Sequence, residues 1–287
     1  MTKVAVAPIR GPIAFQGALG ANSDLACRQL FPGVPTLPCV AFEDVFAAVR
    51  EGRAERAVIP VENSQNGRVA DIHHLLPGGE LKIVGEYFLP VHHCLLAVKG
   101  APLSGIRQAL SHIQALGQVR GNLRALGIAP VTFFDTAGAA EEVARVGDPT
   151  RAAVASSLAA EIYGLDILKS NFEDVPHNTT RFLIMSKIAG KLPADCPVAV
   201  TAFVFEVRNI PAALYKVMGG FATNGINMTK LESYMLNGSF TATQFYAEVE
   251  GRQDEPAMEH AFAELNYFAH SITVLGTFAG DPSRRAA

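Results

Sequence analysis

The chain has 287 residues, 49% of them hydrophobic and 18% charged, a balance that describes a well-packed protein of more than one structural unit and excludes intrinsic disorder. A formal net charge of −3, with no long lysine or arginine run, argues against nucleic acid as a partner. No stretch approaches the ~20 apolar residues of a membrane helix, and the start "MTKVAVAPIRGPIAFQG" lacks the apolar core of a signal peptide, so no membrane association and a cytoplasmic location are expected.

In chain order, "VAVA" (4–7) and "PIAFQG" read as one interrupted strand, and "GALGANS" (17–23) as a glycine-rich joint that only weakly resembles an anion cradle. "SDLACRQLF" then begins a helix with Asn22 or Ser23 as its N-cap. Phe42, Val45, Phe46 and Val49 recur at helical spacing and predict a helix stopped at Gly52. "AVIPV" is a buried strand that empties into "ENSQNGRV". This alternation predicts an α/β fold with largely parallel sheets. Residues 81–98 are strand-like without a helix and would carry the chain into a second lobe. There "QALSHIQALGQVRGNLRALG" reads as mainly helical, "APVTFF" as a strand, and "TAGAAEEVARVG" as a helix entered through Asp135 and Thr136. "AAVA" leads into a short helix, "SSLAAEIYG", ending at Gly164, and "NTTRFLIMSK" returns to the first lobe. The lobes are expected at about 1–85 with 175–190, and about 86–174, forming one unit over 1–190 with a ligand cleft between them.

"KIAGKLPADCP" (187–197) has the glycine and proline of a linker, and 198–279 changes pattern. Strand "VAVTAFVFEV", a helix marked by Leu214, Val217, Met218 and Phe221, two strands joined across Asn237–Gly238, a helix marked by Met258, Phe262 and Leu265, and strand "SITVLGTFA" give the ferredoxin-like order βαββαβ. Cys27, Cys39, Cys94 and Cys196 form no C-x-x-C pair and are expected to be reduced, mostly buried thiols. In His73–His74 and His92–His93 the adjacent side chains point apart, so neither pair is a ready chelate and neither metal nor other cofactor is expected.

Four segments concentrate hydrogen-bonding groups at strand ends or helix starts: Glu62, Asn63 and Ser64; Ser111, His112, Gln114 and Gln118; Asp135 and Thr136; and Thr179, Thr180 and Arg181 in "HNTTRF". Each has an ordinary structural explanation as a turn, a cap or a solvated face. No Ser-His-Asp order, phosphate loop or G-x-G-x-x-G is present. Many neutral donors, one arginine and no strong nucleophile suit a small polyanion with an intrinsic tendency to react.

Together "PVENSQNG", "SHIQALGQ" and "NTTRF" resemble the motifs of prephenate dehydratases, and the tail with "NGINMTKLES" resembles that family's ACT regulatory domain. The resemblance implies a two-lobed catalytic part like type II periplasmic binding proteins, a ferredoxin-like ACT domain, and homodimers or homotetramers. It implies a carbon–oxygen lyase acting on a small molecule, prephenate or its amino analogue arogenate, without a cofactor. Thr180 corresponds to the family's catalytic threonine, with Asn63, Ser111, Gln118 and Asp135 at polar active-site positions. Arg181 is implied as an anion holder, and Ser23, Ser64, Thr136 and Thr179 as further substrate contacts. Leu214, Asn227, Glu232 and Ser233 are implied to bind L-phenylalanine as an allosteric effector. Departures from the family pattern include "GALGANS" for GxxGTFS, Ile113 in "HIQ", Ala212 in "AAL" for GAL, and "ESYM" (232–235) for ESRP. Arogenate dehydratase, forming phenylalanine directly, and a non-catalytic amino-acid sensor are the rival readings. Only a catalyst needs the leaving-group constellation around "NTTRF".

Overall fold

Three sheets organise the residues that the computed structural model describes: 9–69, 72, 74–235 and 242–285. "VAVA" and the Asn237–Gly238 turn lie outside these residues. The first lobe runs β1 (Ile13–Gln16), α1 (Asn22–Leu30), β2 (Thr36–Cys39), α2 (Phe42–Arg50), β3 (Arg56–Asn63), β4 (Gly67–Arg68) and β5 (Lys82–Pro90). The second runs β6 (Cys94–Ala97), β7 (Gln108–Ser111), α3 (Ile113–Gln118), α4 (Arg120–Ala125), β8 (Ala129–Thr132), α5 (Thr136–Val146), β9 (Arg151–Ala155), α6 (Ser157–Tyr163) and β10 (Asp166–Lys169). β11 (Thr179–Ser186) returns to the first sheet, between β3 and β5.

The local chemistry follows the sequence where periodicity is strong. Phe42, Val45, Phe46 and Val49 of α2 are all buried, and α5 runs from an Asp135 cap to Gly147 in the left-handed conformation. "QALS", read as helical, is instead the strand β7. It is hydrogen-bonded between β8 and β9, and Ala109 and Leu110 are buried on opposite faces. A strand covered on both faces loses the alternation that would mark it. Nor are the sheets largely parallel. β11 runs antiparallel to β3 and β5, and β6 runs antiparallel to β9 and β10, because these strands enter their sheets from the opposite lobe. The two crossings fall at about 91–93 and 170–178 and bond each other: the Phe172 amide donates to the His93 carbonyl and the Val91 amide to that of Asn178.

The third unit is β12 (Ala199–Val207), α7 (Ala213–Thr223), β13 (Met228–Met235), β14 (Ala242–Glu250), α8 (Pro256–Phe268) and β15 (Ala269–Ala279). Its sheet order, β13-β14-β12-β15, is the ferredoxin-like arrangement expected of an ACT-like domain. One face packs on α7 and α8 around Phe203, Phe221 and Phe262. The other packs directly on the first sheet, where Val200, Val204 and Leu275 share a core with Ile59, Ile83 and Leu183. The backbones come close enough that a Cβ on Gly276 would strike the Ile83 carbonyl oxygen. Strand β11 therefore has two covered faces. Phe182 and Ile184 lie with α1, while Leu183 and Met185 face the third sheet.

Candidate active site

A cleft of about 690 Å³ lies between the lobes. Asn22, Ser23, Asn63 and Thr180 line it from the first lobe, and Gln118, Asp135 and Thr136 from the second. The lobes also touch through the glycine-rich joint. Ser156, which caps α6, donates its hydroxyl to the Gly20 carbonyl at 2.5 Å, and the Tyr163 hydroxyl donates to the Leu19 carbonyl at 2.9 Å. Gly20 has φ +86, and a Cβ there would meet Ala159 of the other lobe.

Across the cleft floor runs a chain of neutral hydrogen bonds. Asn63 Oδ1 accepts the backbone N–H groups of Gln65 and Asn66, at 3.0 and 2.9 Å, which fixes the amide with its NH₂ inward. Asn63 Nδ2 donates to Thr180 Oγ1 at 3.0 Å and to Asn178 Oδ1 at 2.7 Å. Asn178 Nδ2 in turn donates to Gln118 Oε1 at 2.9 Å, and His93 Nε2 donates to the same oxygen at 2.6 Å. Two consequences follow from counting donors. Thr180 accepts from Asn63, so its own proton is left to point into the cleft. Gln118 has its oxygen doubly occupied, so its NH₂ is the end offered to a ligand.

His93 is 3% exposed, and burial lowers its pKa, partly opposed by the bond to Gln118 and by Glu173. It is the neutral Nε2–H donor of this chain. Its neighbour His92 turns the other way, to Glu173 at 2.8 Å.

The N-terminus of α1 opens on the cleft with no side-chain cap, Ala21 standing at the N-cap where Asn22 or Ser23 was expected. Its first-turn backbone amides face the cleft, where a helix N-terminus can receive an anion, and the buried Asp24 of the same turn is occupied by the Gly20 amide and Arg28. Asn22 lines the cleft at this point, with its Oδ1 buried and without a hydrogen-bond partner. On the opposite wall, Asp135 Oδ1 accepts the Gly138 amide at 2.6 Å to start α5, and His112 caps α3.

The structure redistributes the other expected contacts. A strand alternates its faces, so Thr180 and Phe182 point to the cleft while Thr179 and Arg181 point to the third sheet. Arg181 is therefore not the cleft's anion holder. It is 5% exposed and saturated by carboxylates: Nε donates to Glu86 at 2.8 Å, Nη1 to Glu62 at 3.1 Å, and Nη2 to both oxygens of Glu248, on β14, at 2.8 and 2.9 Å. Arg284 bonds the same Glu86 and Glu248, and Lys230 of β13 bonds Glu62. Burial works against the Arg181 charge, but Glu248 and Glu86 outweigh it and raise its pKa. For Glu248, burial is likewise outweighed by Arg181 and Arg284, which hold its pKa at about 2.

Ser64 and Ser111 are also structural. Ser64 Oγ accepts the Thr179 amide at 2.9 Å and donates to the His177 carbonyl, tying the β3 turn to β11. Ser111 is fully buried and donates to the Val154 carbonyl at 2.6 Å.

The family model described as prephenate dehydratase matches residues 13–189. The chain belongs to the prephenate dehydratase family. A bifunctional N-acyl-homoserine lactone acylase/prephenate dehydratase of Komagataeibacter europaeus is 53% identical over 95% of this chain and 97% of the relative. An arogenate dehydratase/prephenate dehydratase of Arabidopsis thaliana is 38% identical over 94% of this chain and 72% of its own length. Among solved structures, a prephenate dehydratase from Arthrobacter aurescens in complex with L-Phe superposes with a TM-score of 0.84 at 28% identity, over 93% of this chain and 89% of that one.

In this prephenate dehydratase family member, the residues implied to bind an effector are dispersed over β13 and its surroundings. Leu214 packs partly buried against the helix-side core, and Asn227 Nδ2 donates to Glu250 at 3.0 Å. Ser233 is exposed, while Glu232 faces the first lobe, pairing with Lys230 at 2.8 Å and with the Tyr234 hydroxyl. Ala212, standing for the family's glycine, has φ +63, a conformation costly for a residue with a Cβ. Sequence reasoning missed Asn178 and His93. The period of two through "NTTRF" would have put Asn178 beside Thr180, and the opposed facing of His92–His93 required one of the pair to turn inward.

Proposed function

We propose that this chain is a prephenate dehydratase, releasing CO₂ and water from prephenate to give phenylpyruvate. The observation that carries the reading is the bond from Asn63 to Thr180, which leaves the Thr180 proton available to a departing oxygen. Breaking the bond to the ring carboxylate supplies the electron pair of the new ring double bond. The ring C–O bond breaks in concert, and the oxygen takes up one proton, drawn from solvent water through the Thr180 hydroxyl, to leave as water. Thr180 donates to that oxygen as charge develops on it, while Asn63 supports the threonine oxygen. The α1 amides hold one carboxylate, and the apolar cleft walls desolvate the one that is lost.

Prephenate is preferred to arogenate because the cleft is lined mainly by neutral groups. Its one lining carboxylate among the described residues, Asp135, has an oxygen committed to the Gly138 amide. L-phenylalanine is the proposed effector, a reading supported by the L-Phe complex of the Arthrobacter aurescens protein. Homodimers or homotetramers are the expected assembly.

Separate incubation with prephenate, arogenate and an N-acyl-homoserine lactone, followed by product analysis, tests the reading. Phenylpyruvate from prephenate, greatly slowed in Thr180→Val, is the expected result. Phenylalanine formed chiefly from arogenate would move the substrate, and lactone cleavage alone would overturn dehydratase chemistry.

A further inference from the structure

The proposed substrate carries two carboxylates, and Arg181 is spent on the third sheet. Among the described residues lining the cleft, Arg68 is the one lysine or arginine. It sits on the two-residue edge strand β4, opposite Glu62, and its side chain is exposed. Neighbouring carboxylates do not hold it: Glu62 is bound to Arg181 and Lys230, and Glu232 to Lys230. Among the described residues Arg68 makes no ion pair. Its guanidinium instead rests 5.8 Å from the ring centroid of Tyr234, on β13 of the ACT-like sheet.

Arg68 also lines a second groove, of about 490 Å³, between the first lobe and that sheet. Asn63, Gly67 and Arg68 thus form the wall shared by cleft and groove. A long side chain at this position reaches either space.

We propose that Arg68 binds the retained pyruvyl carboxylate in the cleft, together with the α1 amides that line the same cleft, and that Tyr234 is the surface on which its guanidinium rests when the cleft is empty. This rests on the dehydratase reading above. A planar guanidinium matches a carboxylate with two parallel hydrogen bonds, which an ammonium cannot reproduce. The tyrosine of "ESYM" thereby acquires a role: it gives the ACT-like sheet a direct contact with the substrate-binding cation. Whatever moves β13 changes how readily Arg68 leaves for the cleft.

Steady-state kinetics of wild type, Arg68→Gln, Arg68→Lys and Tyr234→Ala test this, with phenylpyruvate affinity by calorimetry as a readout independent of turnover. Arg68→Gln should raise KM for prephenate about 10- to 100-fold and leave kcat within about threefold, as expected for losing a charged hydrogen-bonded contact. Arg68→Lys should fall between. Tyr234→Ala should shift KM several-fold without a matching loss of kcat. An unchanged KM in Arg68→Gln, with wild type active, overturns the assignment and leaves the dehydratase reading intact. Wild type inactive on prephenate and arogenate overturns that reading instead; the carboxylate site then stands or falls on whether Arg68→Gln weakens phenylpyruvate binding.

Discussion

The two faces of β11 solve opposite problems with adjacent residues. Thr180 enters a chain of neutral groups, each oriented by the next and ending in hydrogen-bonding capacity left over for a ligand. Arg181, one residue on and turned the other way, enters a buried cluster in which cations and carboxylates saturate one another across two domains. A site for a ligand must keep a valence open, whereas a domain joint must close every one, because an unpaired charge in the interior is far costlier than the pair. Adjacent in sequence, the two residues should fail differently.

Arg181→Met should have the largest effect. It leaves the buried Glu248 and Glu86 sharing the single cation Arg284, one charge short, and unfolding by denaturant should show a loss of about 3–5 kcal/mol. KM for prephenate, measured where the variant remains folded, should stay near wild type. A large rise in KM would break the comparison by returning Arg181 to the cleft. Thr180→Val should do the reverse, lowering kcat about 10²–10³-fold while stability moves by about 1 kcal/mol or less.

Asn63→Asp sharpens the direction of the hydrogen bonds. A carboxylate keeps the acceptor for the Gln65 and Asn66 amides but takes the Thr180 proton for itself. The kcat should fall roughly 10²-fold with a smaller change in KM. Asn63→Asp with full activity would show that the threonine proton has no part in the reaction.

The smallest effect is a pH dependence from His93, whose pKa burial depresses. Its stabilising contribution is complete above the unfolded value of about 6.5 and is lost as pH falls through the lower folded value, because the unfolded chain binds the proton first. Melting followed from pH 7.5 to 5 should show stability declining by at most about 1.4 kcal/mol per pH unit from this group. His93→Gln, which keeps a donor for Gln118 but cannot titrate, should flatten that part of the profile.

What was legible in the sequence was local. The amphipathic spacing of α2, the Asp135 cap and the βαββαβ order are each written in contiguous residues, since propensity, capping and hydrophobic period act over a few positions. So were the motifs that put Asn63, Gln118, Asp135 and Thr180 on the cleft. Motifs name residues without giving their directions: Ser111, expected at an active-site position, and Ser64, Thr179 and Arg181, expected as substrate contacts, all lie off the cleft lining. Tertiary structure alone decided that the ACT-like sheet lies against the first lobe and supplies Glu248 to Arg181. It also paired Asn178 with Gln118, 60 residues away, and left Arg68 between two cavities. The physical reason is that a polar side chain takes its function from whatever satisfies it. The partners that satisfy these residues come from other strands, lobes and domains, which only the folded chain brings within hydrogen-bonding distance.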